Sequence, residues 1–240
     1  MPSSPSLSPE VAIILAGGTG TRLGTLTAHT PKPLLEVAGR PFVVHLLAYL
    51  QAQGIRRVVF ATGYLAAQFE TVLGTRHENM ELLYSVEEKP LGTGGAVAAA
   101  FRLLPQVDAA FVLNGDTYFP VSLATVSDVH QRQGAAATLA LREMPDAGRY
   151  GAVVLEGNRI RALNEKTHAG PGLVNGGVYL VRREPMLTQA TRGTFSLERD
   201  VFPQWASVGK LAGVPSPAYF IDIGVPEDLA RAQREIPRPR

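Results

Sequence analysis

Residues 11–33 read Val-Ala-Ile-Ile-Leu-Ala-Gly-Gly-Thr-Gly-Thr-Arg-Leu-Gly-Thr-Leu-Thr-Ala-His-Thr-Pro-Lys-Pro. The stretch begins with a short, branched and uninterrupted apolar run, which is typical of a buried strand. The run ends in a glycine-rich loop at 17–20, where the missing Cβ atoms let the backbone turn sharply and approach a ligand. Two cations, Arg22 and Lys32, follow. A strand, a glycine loop and two cations together predict a polyphosphate site, since amides and cations match phosphate oxygens.

The glycine loop fits neither of two common phosphate-binding patterns. The P-loop requires Gly-x-x-x-x-Gly-Lys-Ser/Thr, which does not occur here. The dinucleotide fingerprint would need a third glycine at the position of Leu23. A dinucleotide-dependent dehydrogenase is therefore disfavoured.

The composition is that of an ordinary globular α/β domain. The chain has 240 residues, of which 45% are hydrophobic, and this is enough for a full core. We therefore expect residues 10–236 to form a single domain. Residues 1–9 lack the charged and apolar regions of a secretory signal, so we expect them to be a disordered lead-in.

Several functional classes are disfavoured by the composition. No apolar run reaches the roughly 18 residues of a membrane span. The absence of cysteine excludes disulfides, thiolate zinc sites and cysteine nucleophiles, and it fits a cytoplasmic protein. The formal net charge is only +2 and no basic stripe with interleaved aromatic residues occurs, so nucleic-acid binding is not expected. The sequence leaves the oligomeric state open, and a homo-oligomer stays an alternative.

Apolar runs alternate with amphipathic stretches through the first half of the chain. Short strands are predicted at 57–62, 81–86 and 109–113, and helices are predicted at 41–54 and 64–73. Strands that alternate with helices at this spacing indicate parallel βαβ units.

Three loops of this half follow predicted strands directly. They are the glycine loop at 17–20, a second glycine loop at 87–96 with a small-residue helix after it, and Asn114-Gly115-Asp116. The carboxyl ends of parallel strands lie at one edge of a sheet, where α/β proteins bind their ligands. We therefore expect the three loops to converge on one pocket.

After Tyr150 the pattern changes to that of antiparallel strands. Glu156-Gly157-Asn158 separates two short apolar runs, which is typical of a hairpin. We expect residues 143–181, including a strand at 174–181, to form a small lobe of mixed sheet over the pocket. The other elements predicted beyond the first half are a helix at 122–133, a strand at 135–142, a helical stretch at 196–205, strands at 210–214 and 218–222, and a helix opened by Pro226.

The N-terminal motifs resemble those of a known family. Leu-Ala-Gly-Gly-x-Gly-Thr-Arg-Leu at 15–23, with Pro-Lys-Pro at 31–33, is similar to the signature of the sugar-1-phosphate nucleotidylyltransferases. One departure is Thr25, where many members have proline. Within the family, the D-glycero-α-D-manno-heptose 1-phosphate guanylyltransferases are the most similar group, on motifs that extend the resemblance over nearly the whole chain. These motifs are Pro-Leu-Gly-Thr-Gly-Gly-Ala at 90–96, Leu-Asn-Gly-Asp-Thr at 113–117, Asn-Gly-Gly-Val-Tyr-Leu at 175–180, Phe-Ser-Leu-Glu-Arg-Asp at 195–200 and Phe-Ile-Asp-Ile-Gly-Val-Pro-Glu-Asp at 220–228.

The resemblance implies a fold, a reaction and a cofactor. The fold is an α/β, Rossmann-like three-layer sandwich with a mostly parallel mixed sheet, the nucleotide-diphospho-sugar transferase fold, with a small sugar-binding lobe at about 143–181. In the reaction, a sugar 1-phosphate attacks the α-phosphorus of a nucleoside triphosphate and expels pyrophosphate. Such chemistry requires charge neutralisation and alignment but no covalent nucleophile. The implied cofactor is Mg²⁺, which prefers one or two carboxylates together with phosphate and water oxygens.

The resemblance also assigns roles to individual residues. Arg22 and Lys32 are the implied catalytic cations, and Asp116 and Asp222 are the implied metal ligands. The residues implied to bind the sugar phosphate are Gly151, Glu165, Lys166 and Asn175. The residues implied to bind the nucleotide are Leu15, Ala16, Gly17, Gly18, Thr19, Gly20, Glu87, Gly92 and Thr93.

The base and the sugar are less sharply indicated. Glu87 stands where thymidylyl and uridylyl relatives have a base-reading glutamine, and a carboxylate can pair with two guanine donors, so GTP is favoured. The favoured sugar is D-glycero-α-D-manno-heptose 1-phosphate. Mannose-1-phosphate guanylyltransferase and N-acetylmuramate-1-phosphate uridylyltransferase activities remain alternatives. A hypothesis from another class is a catalytically silent regulatory module that binds a nucleotide sugar.

Overall fold

The predicted first strand lies in the middle of a large mixed sheet. A computed structural model describes residues 9–18, 20–63, 65–147, 152–163, 170–190 and 193–236 of the chain. The lead-in predicted at 1–9 lies outside the described residues, apart from Pro9.

The described ranges form short strands and helices that alternate along the chain. The strands are β1 (Val11–Leu15), β2 (Glu36–Val37), β3 (Arg40–Pro41), β4 (Arg57–Thr62), β5 (Arg76–His77), β6 (Met80–Val86), β7 (Ala109–Asn114), β8 (Thr117–Tyr118), β9 (Ala137–Met144), β10 (Ala152–Glu156), β11 (Arg159–Leu163), β12 (Gly172–Arg182), β13 (Leu211–Ser216) and β14 (Ile221–Asp222). The α-helices are α1 (Phe42–Ala52), α2 (Ala67–Leu73), α3 (Gly92–Arg102), α4 (Leu123–Gln133), α5 (Arg183–Gln189), α6 (Phe202–Ser207) and α7 (Pro226–Glu235). Shorter helical turns are 3-10 turns at Thr21–Thr27 and Lys32–Leu34 and a π-helical turn at Leu197–Val201.

Ten of the described strands form one sheet in the order β10-β11-β13-β9-β12-β7-β1-β4-β6-β5. The strands β7, β1, β4 and β6 pair in parallel, as the alternation of strands and helices predicts. The strand β12 pairs antiparallel with both β7 and β9, whereas β9 and β13 pair in parallel. Among the ten described strands of this sheet, only β5, β11 and β12 run opposite to β1, which confirms a mostly parallel mixed sheet.

Helices cover both faces of the sheet and produce three layers. Successive side chains of a strand point to opposite faces, so Ile14 packs with Leu46 of α1 while Ile13 packs in the cluster that contains Phe101 of α3. Trp205 of α6 packs in this second cluster as well. Every helix in the described ranges is too short or too polar to cross a bilayer.

Glycines of the second predicted loop lie inside a helix. Instead of a loop through residue 96, α3 begins at Gly92. A Cβ atom on Gly92 would lie 2.4 Å from the carbonyl oxygen of Phe195, and one on Gly94 would lie 2.4 Å from the Phe195 ring. The glycines are therefore required for close packing of the 195–200 segment against the start of α3, and helix propensity is overridden.

Another local prediction differs from the structure. The helix α2 starts at Ala67 rather than at residue 64, because Leu65 has a φ of 57°, which an α-helix cannot accommodate. The helical stretch predicted at 196–205 is confirmed. It is a π-helical turn followed by α6, with Pro203 in the first turn of α6 where it needs no N–H partner. The helix α5 has no counterpart among the predicted helices.

Candidate active site

The carboxyl ends of β1 and β7 border a cavity of about 300 Å³. The first glycine loop, the first turn of α3 and the 114–116 turn all contribute to its wall, as expected for loops at one edge of a parallel sheet. The lining residues are Leu15, Ala16, Gly18, Lys32, Pro33, Thr93, Asn114, Asp116 and Glu198. We place the candidate active site here.

A larger cavity, of about 820 Å³, lies at the opposite edge of the sheet. It borders the residues at which β1 and β7 begin, and its wall includes Arg182 and Arg183. None of the predicted site residues that the structure describes lines it. Because α/β proteins bind ligands at the carboxyl ends of their strands, this cavity is not the candidate active site.

Lys32 and Asp116 form an ion pair in the smaller cavity. The Nζ atom of Lys32 lies 2.7 Å from Oδ2 of Asp116. Lys32 is held in a 3-10 turn that follows the extended Pro31, and its side chain is only 11% exposed. Gly115 directly precedes Asp116, and a Cβ atom on Gly115 would lie 2.6 Å from the carbonyl oxygen of Leu15. The end of β7 can therefore turn tightly against the end of β1.

A two-stranded ribbon, separate from the large sheet, brings Asp222 to Asp116. Strands β8 and β14 pair antiparallel with Asp222 opposite Thr117, and the amide of Ile223 donates to the carbonyl oxygen of Asp116 at 2.9 Å. The predicted strand at 218–222 is thus shortened to the two residues that make this ribbon. Asp222 also accepts a 2.7 Å hydrogen bond from the amide of Gly224.

The two carboxylates influence each other. Burial, and then the charge of Asp116, raise the pKa of Asp222, while the Gly224 amide, Lys32 and Arg22 act in the opposite direction. Arg22 lies close by, because a Cβ atom on Gly224 would be 2.9 Å from its Nη2 atom and 2.8 Å from Oδ1 of Asp222. Both predicted cations and both predicted aspartates are therefore gathered at one place.

The donor set suits a hard divalent cation. No group of three or more His, Cys, Asp or Glu side chains suited to a metal occurs among the described residues. Two facing carboxylates are nevertheless sufficient for Mg²⁺, which takes its other oxygens from phosphate and water. Burial and the charge of Asp116 raise the pKa of Asp222, and a bound cation would favour the charged form of this carboxyl.

Glu87 lies beside the glycine loop but is partly committed to the protein. Its Oε2 atom accepts a 3.0 Å hydrogen bond from the amide of Leu91, just before α3. Its Cβ atom is 3.9 Å from a Cβ built on Gly63, and Gly63 in turn lies against Gly17. Burial raises the pKa of Glu87, and the Leu91 hydrogen bond opposes this. No hydrogen bond from the described residues engages its Oε1 atom.

Asn175 is directed into a hydrogen-bond network. Its amide donates to the hydroxyl of Tyr179 at 3.0 Å and its Oδ1 atom accepts from the amide of Gly177. The two glycines after it lie close against protein side chains. A Cβ atom on Gly176 would lie 2.4 Å from the ring of Phe119, and one on Gly177 would lie 2.8 Å from Asn114. They make room for protein side chains.

Two polar lining residues, Asn114 and Glu198, are missing from the predicted site. Both stand within motifs that carry the family resemblance, but neither type is diagnostic alone. Glu198 follows Ser196, whose side chain caps the π-helical turn, and a serine before an acidic residue is an ordinary helix start. The segment that carries Glu198 packs against the start of α3 through Phe195.

Four predicted site residues lie outside the described residues: Thr19, Gly151, Glu165 and Lys166. Their assignments stay predictions. Leu15, Ala16, Gly18 and Thr93 line the cavity as expected for the nucleotide side of the site.

The fold and the site together define a nucleotidyl transferase of the α/β class. The strand β1 lies between two parallel neighbours and is followed by a glycine loop, and the cations and carboxylates lie at the same edge of the sheet. The chain belongs to the nucleotidyl transferase family, whose profile matches residues 11–238. The family expected from the sequence is confirmed.

Relatives of known name cover most of the chain. A protein of Aneurinibacillus thermoaerophilus named D-glycero-alpha-D-manno-heptose 1-phosphate guanylyltransferase is 39% identical over 225 residues, which are 94% of this chain and 97% of the relative. The protein of that name in Campylobacter jejuni is 35% identical over 90% of this chain and 96% of its own. The mannose-1-phosphate guanylyltransferase of Mycobacterium tuberculosis is 38% identical over 95% of this chain, which spans only 64% of that relative.

A solved structure agrees with this grouping. The crystal structure of HddC from Yersinia pseudotuberculosis superimposes with a TM-score of 0.83 at 30% identity, covering 95% of this chain and 99% of that one. A second structure of HddC, complexed with GMP-PN, gives a TM-score of 0.82.

Proposed function

We propose that the protein transfers a guanylyl group from GTP to D-glycero-α-D-manno-heptose 1-phosphate and releases pyrophosphate. The observation that carries this proposal is the gathering of Lys32, Asp116, Asp222 and Arg22 at the carboxyl edge of the sheet. The two relatives named for this reaction match along nearly their whole length and support the choice of substrates.

The proposed reaction is a direct displacement. An oxygen of the sugar 1-phosphate forms a bond to the α-phosphorus, while the bond from that phosphorus to the bridging oxygen breaks and pyrophosphate leaves with the electron pair. Both reactants are anions, so the protein must reduce their repulsion and align them. Arg22 would bind the β- and γ-phosphates, since its planar guanidinium suits two oxygens at once. Lys32 would supply a point charge to the α-phosphate and the attacking phosphate.

Asp116 and Asp222 would hold Mg²⁺, which when bound neutralises phosphate charge and orients the phosphate oxygens. Around that ion, Lys32 keeps one oxygen of Asp116 oriented through its 2.7 Å ion pair. The ribbon of β8 and β14 keeps Asp222 in register with the 116–117 turn.

A cytoplasmic location, inferred from the lack of cysteine, stays a prediction.

Glu87 would lie at the base of the nucleotide, and Asn175 would lie at the sugar. The Oε1 atom of Glu87 would accept a hydrogen bond from guanine, while Oε2 keeps its contact with Leu91. Asn175 would lie on the sugar side, together with the predicted but undescribed Gly151, Glu165 and Lys166. We propose that the 143–181 lobe forms this side of the site.

A pyrophosphate-release assay tests the proposal. The four ribonucleoside triphosphates and dTTP are crossed with heptose, mannose, glucose and N-acetylmuramic acid 1-phosphates, with and without Mg²⁺. We expect activity with GTP and the heptose phosphate, dependent on the metal. Activity with another pair would replace the substrates but keep the reaction. If no pair of substrates released pyrophosphate but calorimetry showed GTP binding, the result would instead favour the catalytically silent regulatory module.

Mannose 1-phosphate is the second candidate acceptor. It is favoured by the 38% identity to the guanylyltransferase of Mycobacterium tuberculosis. The same grid separates the two sugars through their kcat/KM values with GTP.

A further inference from the structure

Glu198 is a carboxylate on the wall of a cavity proposed for two phosphorylated substrates. Its Oε2 atom accepts hydrogen bonds from the hydroxyl groups of Thr93 at 2.7 Å and Ser196 at 2.8 Å. The amide of Leu197 in turn donates to the Thr93 hydroxyl at 2.9 Å. These contacts join the first turn of α3 to the π-helical turn, so the carboxylate is held rather than free to rotate.

The second oxygen, Oε1, is aligned by Tyr179. A phenolic hydroxyl has one proton to donate and can accept two hydrogen bonds. The hydroxyl of Tyr179 accepts from the amide of Asn175 at 3.0 Å and is also hydrogen-bonded by Asn114. Its own proton must therefore point at Oε1 of Glu198, which lies 3.5 Å away.

This geometry leaves Oε1 with acceptor capacity. Among the described residues, a single contact of 3.5 Å engages it, which is long for a hydrogen bond between oxygens, whereas Oε2 has two short ones. Tyr179 is fully buried, and burial and the charge of Glu198 raise its pKa far above the usual range, so it stays a donor. A new donor in the cavity would find Oε1 oriented and under-used.

The charge of Glu198 limits what that donor can be. A carboxylate repels phosphate oxygens, so the phosphates belong with Arg22 and Lys32 and not on this wall. A ring hydroxyl group of a sugar is a neutral donor, and a carboxylate can accept a hydrogen bond from it. Asn175, proposed for the sugar side, is linked to Glu198 through the Tyr179 hydroxyl.

We propose that Oε1 of Glu198 accepts a hydrogen bond from a hydroxyl group of the acceptor sugar and so selects the sugar, with Tyr179 as the residue that positions it. This rests on the proposed function, because it needs a sugar phosphate in the cavity. The assignment extends the sugar side of the site to the 195–200 segment, which lies outside the 143–181 lobe.

The first test is a substitution of Glu198 itself. Glu198→Gln keeps the shape and removes the charge, and we expect the KM for the sugar 1-phosphate to rise about tenfold, the order expected for a hydrogen bond to a charged group. The KM for GTP should change less than about twofold. Glu184→Gln, the same change on an exposed residue of α5, is the control and should change neither constant.

Deoxy analogues of the active sugar 1-phosphate identify the contact itself. Removing the contacted hydroxyl should raise the KM of the unaltered enzyme about tenfold but that of Glu198→Gln less than about twofold, as in a double-mutant cycle. Equal losses in both enzymes for every analogue would overturn the role of Glu198. If the unaltered enzyme used no sugar phosphate at all, the proposed function would fail first, and this inference with it.

Tyr179→Phe tests the positioning role. It removes the hydroxyl and should raise the KM for the sugar phosphate less than Glu198→Gln does, and adding both changes should give no more than Glu198→Gln alone. Thermal melting of each variant separates loss of folding from loss of binding. Independent, additive effects of the two substitutions on KM would contradict the linkage.

Discussion

The ammonium group of Lys32 lies 2.7 Å from the carboxylate of Asp116, although the two residues are 84 positions apart in the chain. One partner follows the end of β1 and the other follows β7, its parallel neighbour in the sheet. The pair is mostly shielded from water, with side-chain exposures of 11% and 27%. Opposite charges are thus held at the point where two anions and a cation are proposed to meet, which limits the reorganisation that the reaction requires.

Replacing Asp116 with asparagine tests the metal assignment. We expect Asp116→Asn to lower Mg²⁺-dependent kcat by roughly a hundredfold or more, because one of two carboxylates for the ion is lost and Lys32 loses its counter-ion. The fold should persist, since the amide is isosteric. The assay is turnover against Mg²⁺ concentration, with melting as the folding check. Asp128→Asn, on an exposed position of α4, is the control, and near-normal activity of Asp116→Asn would remove Asp116 from the metal site.

Glu87→Gln tests how the base is read. The carbonyl oxygen of glutamine can keep the hydrogen bond from the Leu91 amide, so the start of α3 should be preserved. The other end becomes a donor and cannot pair with the donors of guanine. We expect kcat/KM for GTP to fall about tenfold relative to that for UTP. An unchanged GTP-to-UTP ratio would show that Glu87 does not contact the base.

Gly94→Ala tests the packing that places Glu198. A Cβ atom there would lie 2.4 Å from the Phe195 ring, so we expect the free energy of unfolding to fall by about 1–3 kcal/mol, in spite of the better helix propensity of alanine. The measurement is urea denaturation. Gly134→Ala provides the comparison, because its Cβ would meet nothing within 4 Å and only the φ of 58° adds strain. A stability of Gly94→Ala equal to or above that of the unaltered protein would contradict the structure at this contact.

His130 should make the protein sensitive to acid. Its burial, and then the charge of Arg182, lower its pKa to about 4, while Nδ1 lies 3.0 Å from the Thr138 hydroxyl. Between the ordinary pKa of about 6.5 and the folded value, the unfolded chain binds a proton that the folded protein does not. Stability from this group is therefore present above about pH 6.5 and is lost as the pH falls towards 4, on the order of 3 kcal/mol in all.

The free energy of unfolding, measured by denaturant between pH 4 and 7, checks this dependence. The variant Arg182→Gln removes the neighbouring charge and should flatten the slope, and His130→Gln should flatten it further. Identical slopes in the unaltered protein and in His130→Gln would show that another group is responsible.

Much of the fold and part of the site could be predicted from local patterns. Apolar runs and helix-ending glycines mark β1, β4, β7 and the helices between them, because burial and backbone conformation are imposed within a few residues. The glycines of α3 show the limit of this reasoning. A glycine run predicts a loop, but here it is a helix whose missing Cβ atoms admit Phe195 from a segment about a hundred residues away.

The sequence by itself determined the family, most of the strands and helices, and the chemical types at the proposed site, since motifs and periodicity are local properties of the chain. Only the tertiary structure decided which of these groups meet. The two-residue ribbon of β8 and β14 that aligns Asp222 with Asp116 is too short to have a periodicity of its own. Likewise, Glu198 is held at the cavity by hydrogen bonds from Thr93 of α3 and Tyr179 of β12. Such contacts depend on how distant segments pack, and no local pattern encodes that.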